Sequence, residues 1–101
     1  MVLNIKDAEL QTVKTILKSI IPNHQVLAFG SRVNGDSRPS SDLDLLIIGR
    51  TNLDKNQELA LKLAFSDSNL PYFVDLVDNA NINEEFRNII TQQTITIQNQ
   101  N

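Results

Sequence analysis

Gly30-Ser31-Arg32-Val33-Asn34-Gly35, followed by Ser41-Asp42-Leu43-Asp44-Leu45-Leu46-Ile47, is the stretch on which the fold turns. The apolar run Gln25-Val26-Leu27-Ala28-Phe29 leads into Gly30 and reads as a short buried strand. Residues 30–41 contain two Gly, one Pro, four Ser, one Asn and one Asp, the composition of a turn-rich loop. Residues 42–48 read as a second strand, closed by Gly49. A period of two places Asp42 and Asp44 on one face and turns Leu43 and Leu45 into the core.

Working outward, Asp7 is a candidate cap for a first helix. Leu10, Val13, Ile16, Leu17, Ile20 and Ile21 recur at three and four to form its apolar stripe, and Pro22 ends it. On the other side, Asn52 or Asp54 caps a helix over residues 55–66, with Leu59, Ala60, Leu63 and Ala64 facing inward. Leu61 and Phe65 depart from that stripe, so the opposite face is expected to be partly covered too. After the break at Asn69-Leu70-Pro71, residues 72–77 form a third strand. Asn83 caps a short helix carrying Phe86, Ile89 and Ile90, and residues 94–97 are expected as a last edge strand. Strands separated by helices give an α/β (α+β) two-layer domain: a small mixed β-sheet packed by helices, mostly on one side.

At 101 residues the chain is expected to be one domain, residues 1–101. Hydrophobic residues at 41% and charged residues at 21% are an ordinary globular balance and argue against disorder. No apolar run approaches the length of a membrane span, and the N-terminus lacks a signal-peptide layout, so a cytoplasmic protein is the expectation. The absence of cysteine excludes disulfides, thiolate metal sites and a Cys nucleophile, and a single histidine excludes a multi-His metal site. His24 is expected in a solvent-facing turn between the first helix and strand. Nine basic residues against twelve acidic ones give a net charge of −3, which does not suit stable nucleic-acid binding.

Three carboxylates sit where carboxylates are depleted. Asp42 and Asp44 at a strand mouth repel one another unless a cation lies between them, and Mg²⁺, which prefers hard oxygens, is the natural one. An Asp-x-Asp tripeptide by itself is commonly two solvated acids. Asp75, within Tyr72-Phe73-Val74-Asp75-Leu76-Val77, is a lone acid in an apolar strand. A buried carboxylate there needs a metal, a base or an Arg such as Arg32 or Arg50. Gly30 lets backbone N–H groups approach a phosphate and Ser31 adds a hydroxyl. Arg32 can neutralise phosphate or pair with a carboxylate, and Ser40 and Ser41 can tie the loop back near the Asp pair. Each feature alone also suits a plain connecting loop, but together they fix four positions at a set spacing.

The pattern Gly-Ser-x10-Asp-x-Asp, with the later Val74-Asp75-Leu76-Val77, resembles the minimal nucleotidyltransferases (MNT proteins) of the DNA polymerase beta superfamily. Glu85-Phe86-Arg87-Asn88-Ile89-Ile90 is similar to that family's C-terminal helix. The resemblance implies transfer of a nucleoside monophosphate from a triphosphate to an acceptor hydroxyl. It implies that Asp42, Asp44 and Asp75 are the catalytic acids and hold two Mg²⁺ ions, Asp75 acting also as general base. Gly30 and Ser31 would grip the β- and γ-phosphates of ATP, with Arg32 and Ser41 as further nucleotide-binding residues. No domain for an acceptor is visible, so the acceptor or its binding surface is expected to come from a partner chain.

In bacteria such proteins are typically encoded beside a HEPN-domain ribonuclease toxin, and the implied role is an antitoxin that adds AMP to a tyrosine of that toxin in a hetero-oligomeric complex. Two other readings follow from the same fold: an antitoxin that only masks the toxin, and a subunit of an aminoglycoside-type nucleotidyltransferase. The first helix and residues 83–91 are the expected partner surfaces, because so small a domain cannot hide all its large apolar side chains.

Overall fold

The computed structural model describes residues 2–49 and 53–99. Helix α1 (Asp7–Ile20) begins one residue ahead of expectation. Lys6 rather than Asp7 takes the N-cap position, and the Glu9 carboxylate receives the Lys6 backbone N–H at 3.1 Å. Asp7 and Glu9 thus lie in the first turn, where the helix dipole favours negative charge. Val13, Leu17 and Ile21 are fully buried, as their spacing predicts.

Strand β1 (Gln25–Phe29) enters the short helix α2 (Ser31–Asn34) through Gly30, and α2 ends at Gly35. Strand β2 (Leu43–Ile48) starts at Leu43, so Asp42 stands just outside it. Helix α3 (Lys55–Ser66) is capped by Asp54, which accepts the Gln57 N–H at 2.7 Å. The other expected cap, Asn52, lies outside the described residues. Strand β3 (Val74–Asp78) is followed by a 3₁₀ turn (Asn79–Asn81), helix α4 (Glu84–Ile90) and strand β4 (Ile95–Gln98). Asn83 caps α4 as expected, accepting the Phe86 N–H at 2.7 Å.

The strands form one mixed sheet in the order β3-β2-β1-β4. β1 pairs antiparallel with β2 and β4, and β2 pairs parallel with β3. β3 and β4 are the two edges. On one face α1 and α3 bury Val26, Ala28, Leu43, Leu45 and Ile47 in the main core. The other face carries Phe29 and Leu46 against Ile90 of α4 in a smaller cluster. The longer helices therefore share one side, and the short α4 covers only part of the second. None of the described helices is long and apolar enough to cross a membrane.

Three further expectations change. In α3 the buried pair is Leu61 and Phe65, while Leu59 and Leu63 are 57% and 61% exposed. Leu61 and Phe65 are four residues apart on one helical face and bring a large apolar area to the sheet, and Ala60 and Ala64 sit half-buried beside them. β3 begins at Val74 rather than at residue 72, because Tyr72 is engaged by other partners and Phe73 points to solvent at 83% exposure. His24 is 7% exposed rather than solvent-facing, and neither ring nitrogen has a hydrogen-bond partner among the described residues. The Gln98 side-chain amide donates to the carbonyls of Ile21 and His24 at 2.8 and 2.9 Å and holds this turn against the sheet. The ring packs so closely on Gly49 that a Cβ there would collide with it.

Candidate active site

The pairing register assembles the acids. Asp44 faces Asp75 across the parallel β2–β3 pair and faces Phe29 across the antiparallel β1–β2 pair. Side chains of register partners lie on the same face of a sheet, so Asp44 and Asp75 stand side by side. That face is the one α4 leaves partly open. Asp42, one residue before β2, is exposed at the strand mouth, and Asp75 is exposed on the edge strand. The burial expected for Asp75 is not present, because β3 has no neighbour on its outer side and α4 does not cover this end. The carboxylate drawn inward is Asp44. Burial, then the neighbouring charges of Asp75 and Asp42, push its pKa up from 3.8 to about 6.

Gly30 explains how the loop approaches this carboxylate. Its φ of 81° lies in a region that side-chain-bearing residues rarely adopt, and a Cβ would run into the Asp44 carboxylate. Glycine thus lets the backbone pass directly over Asp44 and start α2 with Ser31. The Val33 and Asn34 N–H groups donate to the Gly30 carbonyl, both at 3.0 Å. Ser31 is half-buried at the head of that turn.

Arg32 does not pair with the carboxylate considered for it, whereas Ser41 ties the loop back as expected. Arg32 is only 5% exposed and makes no salt bridge among the described residues. Its guanidinium donates to the carbonyls of Ser41, Asn4 and Pro39 at distances of 2.9–3.1 Å, and to Arg38 at 3.4 Å. It also lies 4.1 Å from the centroid of the Tyr72 ring. The Ser41 hydroxyl accepts the Arg38 N–H at 2.8 Å, so Ser41 ties the loop back beside Asp42. Both residues hold the loop. Arg50, the other cation considered for Asp75, lies outside the described residues.

Sequence reasoning missed Tyr72 and Glu9, which complete this arrangement through a 3.2 Å hydrogen bond from the Tyr72 hydroxyl to Glu9. Burial foremost, with the Glu9 carboxylate, pushes the phenol pKa up, so the hydroxyl keeps its proton and remains a donor. No local pattern in the sequence pairs them, because Glu9 and Tyr72 lie 63 residues apart and meet only in the folded chain.

Among the described residues no three metal-ligating side chains close into a cage. Asp42, Asp44 and Asp75 form instead an open row of hard oxygen donors. Their chemistry fits a divalent oxygen-seeking ion that takes its remaining ligands from water and phosphate. Burial first, and then the charges of Asp75 and Asp42, disfavour the Asp44 carboxylate, and such an ion would offset both.

Residues 11–101 match the family described as Polymerase beta, Nucleotidyltransferase. The chain is 50% identical over 96 residues to a probable protein adenylyltransferase MntA of Haemophilus influenzae, covering 95% of this chain and 84% of that protein. Among solved structures, a toxin–antitoxin complex with AMP-PNP contains a chain superposing with a TM-score of 0.73 at 24% identity, over 87% of this chain and 71% of that one. A tri-AMPylated Shewanella oneidensis HEPN toxin in complex with MNT antitoxin gives a TM-score of 0.68 at 20% identity, over 92% of this chain and 71% of that one. These structures share the fold. With the acid row, the Gly30 crossing and the matched length, the chain belongs to the polymerase beta nucleotidyltransferase family.

Proposed function

We propose that this protein is an antitoxin that transfers AMP from ATP to a tyrosine hydroxyl of a HEPN-domain ribonuclease toxin and thereby silences it. The observation that carries this reading is the Asp44–Asp75 register pair beneath Gly30, an acid row crossed by a loop able to meet a phosphate. The 50% identical relative is a probable protein adenylyltransferase, and chains of this fold occur in complexes with HEPN toxin and with AMP-PNP.

Asp42, Asp44 and Asp75 would hold Mg²⁺, which neutralises charge on the triphosphate and on the leaving pyrophosphate. Gly30 and Ser31 receive the β- and γ-phosphates at the start of α2, where backbone can come close. The tyrosine oxygen attacks the α-phosphorus, the bond from that phosphorus to the bridging oxygen breaks, and pyrophosphate leaves. Asp75 is exposed on the edge strand, open to an acceptor from outside the domain, and takes the hydroxyl proton. Asp44, deeper in the sheet, stays with the nucleotide.

The test is to incubate the purified protein with its co-encoded partner, α-³²P-labelled ATP and Mg²⁺. Label on a partner tyrosine, lost in Asp42→Ala, is the expected result. No label under Mg²⁺ or Mn²⁺, with the complex still forming and the toxin still inhibited, would overturn catalysis in favour of masking.

A further inference from the structure

We infer that Arg32 is a positioning residue that holds together three segments of the site: the Gly30–Ser31 turn and the entries of the two acid-bearing strands. Its own helix begins with Gly30 and Ser31. Its guanidinium takes the carbonyl of Ser41, the residue before Asp42, through two donors at 3.1 and 2.9 Å. Its guanidinium carbon lies 4.1 Å over the ring centroid of Tyr72, three residues before Asp75. The two acid-bearing strands first meet close by, where the Leu43 N–H donates to the Phe73 carbonyl at 2.9 Å. One planar cation thus sets the entry of β2 against the entry of β3, and with it the spacing of Asp42 and Asp44 from Asp75.

The chemistry requires arginine. Four backbone carbonyls converge on one group, which a forked guanidinium with five N–H donors satisfies and a single ammonium cannot. With its donors turned to carbonyls and 5% of its surface exposed, Arg32 has little left to offer a phosphate. Its effect on the reaction passes through the acids. The activity arm of the test rests on the AMP-transfer reading, while the exchange and metal-binding arms do not.

The experiment compares wild type with Arg32→Lys, Tyr72→Phe and Tyr72→Leu, each as the full chain with its partner. Four quantities are read: amide hydrogen exchange of residues 36–42, Mn²⁺ affinity, KM for ATP, and the single-turnover rate at saturating ATP. Arg32→Lys is expected to speed exchange in that loop at least tenfold, weaken Mn²⁺ at least fivefold and slow transfer at least tenfold, while KM for ATP moves less than threefold. Tyr72→Phe keeps the ring and is expected within threefold of wild type, whereas Tyr72→Leu should follow Arg32→Lys.

A large rise in KM with the saturated rate unchanged would make Arg32 a direct phosphate ligand and overturn the inference. A lower melting temperature with metal affinity and rate per folded molecule unchanged would make it a merely structural residue, with the same consequence. If wild type transfers nothing, the AMP-transfer reading fails. The loop exchange and Mn²⁺ affinity of Arg32→Lys then decide the positioning role on their own.

Discussion

Asp44→Asn is expected to make the metal-free protein more stable at neutral pH and to leave it unchanged in acid. Asp44 has its pKa raised from 3.8 to about 6, first by burial and then by Asp75 and Asp42. A carboxyl with a raised folded-state pKa binds its proton more tightly in the folded chain. Its contribution is therefore fully present below pH 3.8 and is lost as the pH rises through about 6. A shift of about two units corresponds to a ceiling of about 3 kcal/mol. Asp44 is only half-buried, and solvent screening reduces this to about 1 kcal/mol. Asparagine imitates the protonated form and escapes the loss.

In a domain of this size that gain raises the melting temperature by roughly 4–8 °C. The assay is thermal unfolding of both proteins in EDTA from pH 3.5 to 8. The curves should coincide below pH 4 and separate between pH 4 and 6.5, with the variant higher. Adding millimolar Mg²⁺ at pH 7.5 should raise the wild type and not the variant, because binding to the folded state alone adds stability. A variant that melts at or below wild type in EDTA at pH 8 would show that the acids are not electrostatically strained, and the argument for a cation at this row would lose its physical basis.

Asp75→Asn should leave Mg²⁺-dependent ATP binding within a few-fold of wild type and slow single-turnover transfer by at least 100-fold, whereas Asp42→Ala should lose both; wild-type transfer by Asp75→Asn would refute its role as base. Because Asp75 is exposed, its replacement should change unfolding in urea by less than about 0.5 kcal/mol. Gly30→Ala should cost about 1–3 kcal/mol in urea unfolding and abolish ATP binding, since it combines a positive φ with a collision at Asp44. His24→Leu should stabilise the fold by about 1 kcal/mol in the same assay without altering transfer, because the buried ring nitrogens have no partner among the described residues and lie at the end of β1 opposite the acids.

The sequence by itself determined the sheet's two inner strands, the first helix and the acid row. Those readings depend on local quantities: a period of two around Asp42 and Asp44, a period of three to four along α1, and a glycine where backbone must turn. It also carried the family, because Gly30-Ser31 and Asp42-x-Asp44 occur at a spacing that chance seldom produces. Only the tertiary structure decided which side of α3 is buried, since Leu59–Leu63 and Leu61–Phe65 are equally periodic and the choice depends on the surface they meet. It alone buried His24, whose turn is held by Gln98 from the far end of the chain. It alone separated Asp44, drawn into the sheet, from Asp75, left exposed on an edge, because burial is a property of neighbouring strands. And it turned the Arg32 guanidinium to the carbonyls of Asn4 and Ser41, partners 28 and 9 residues distant that meet only once the chain has folded.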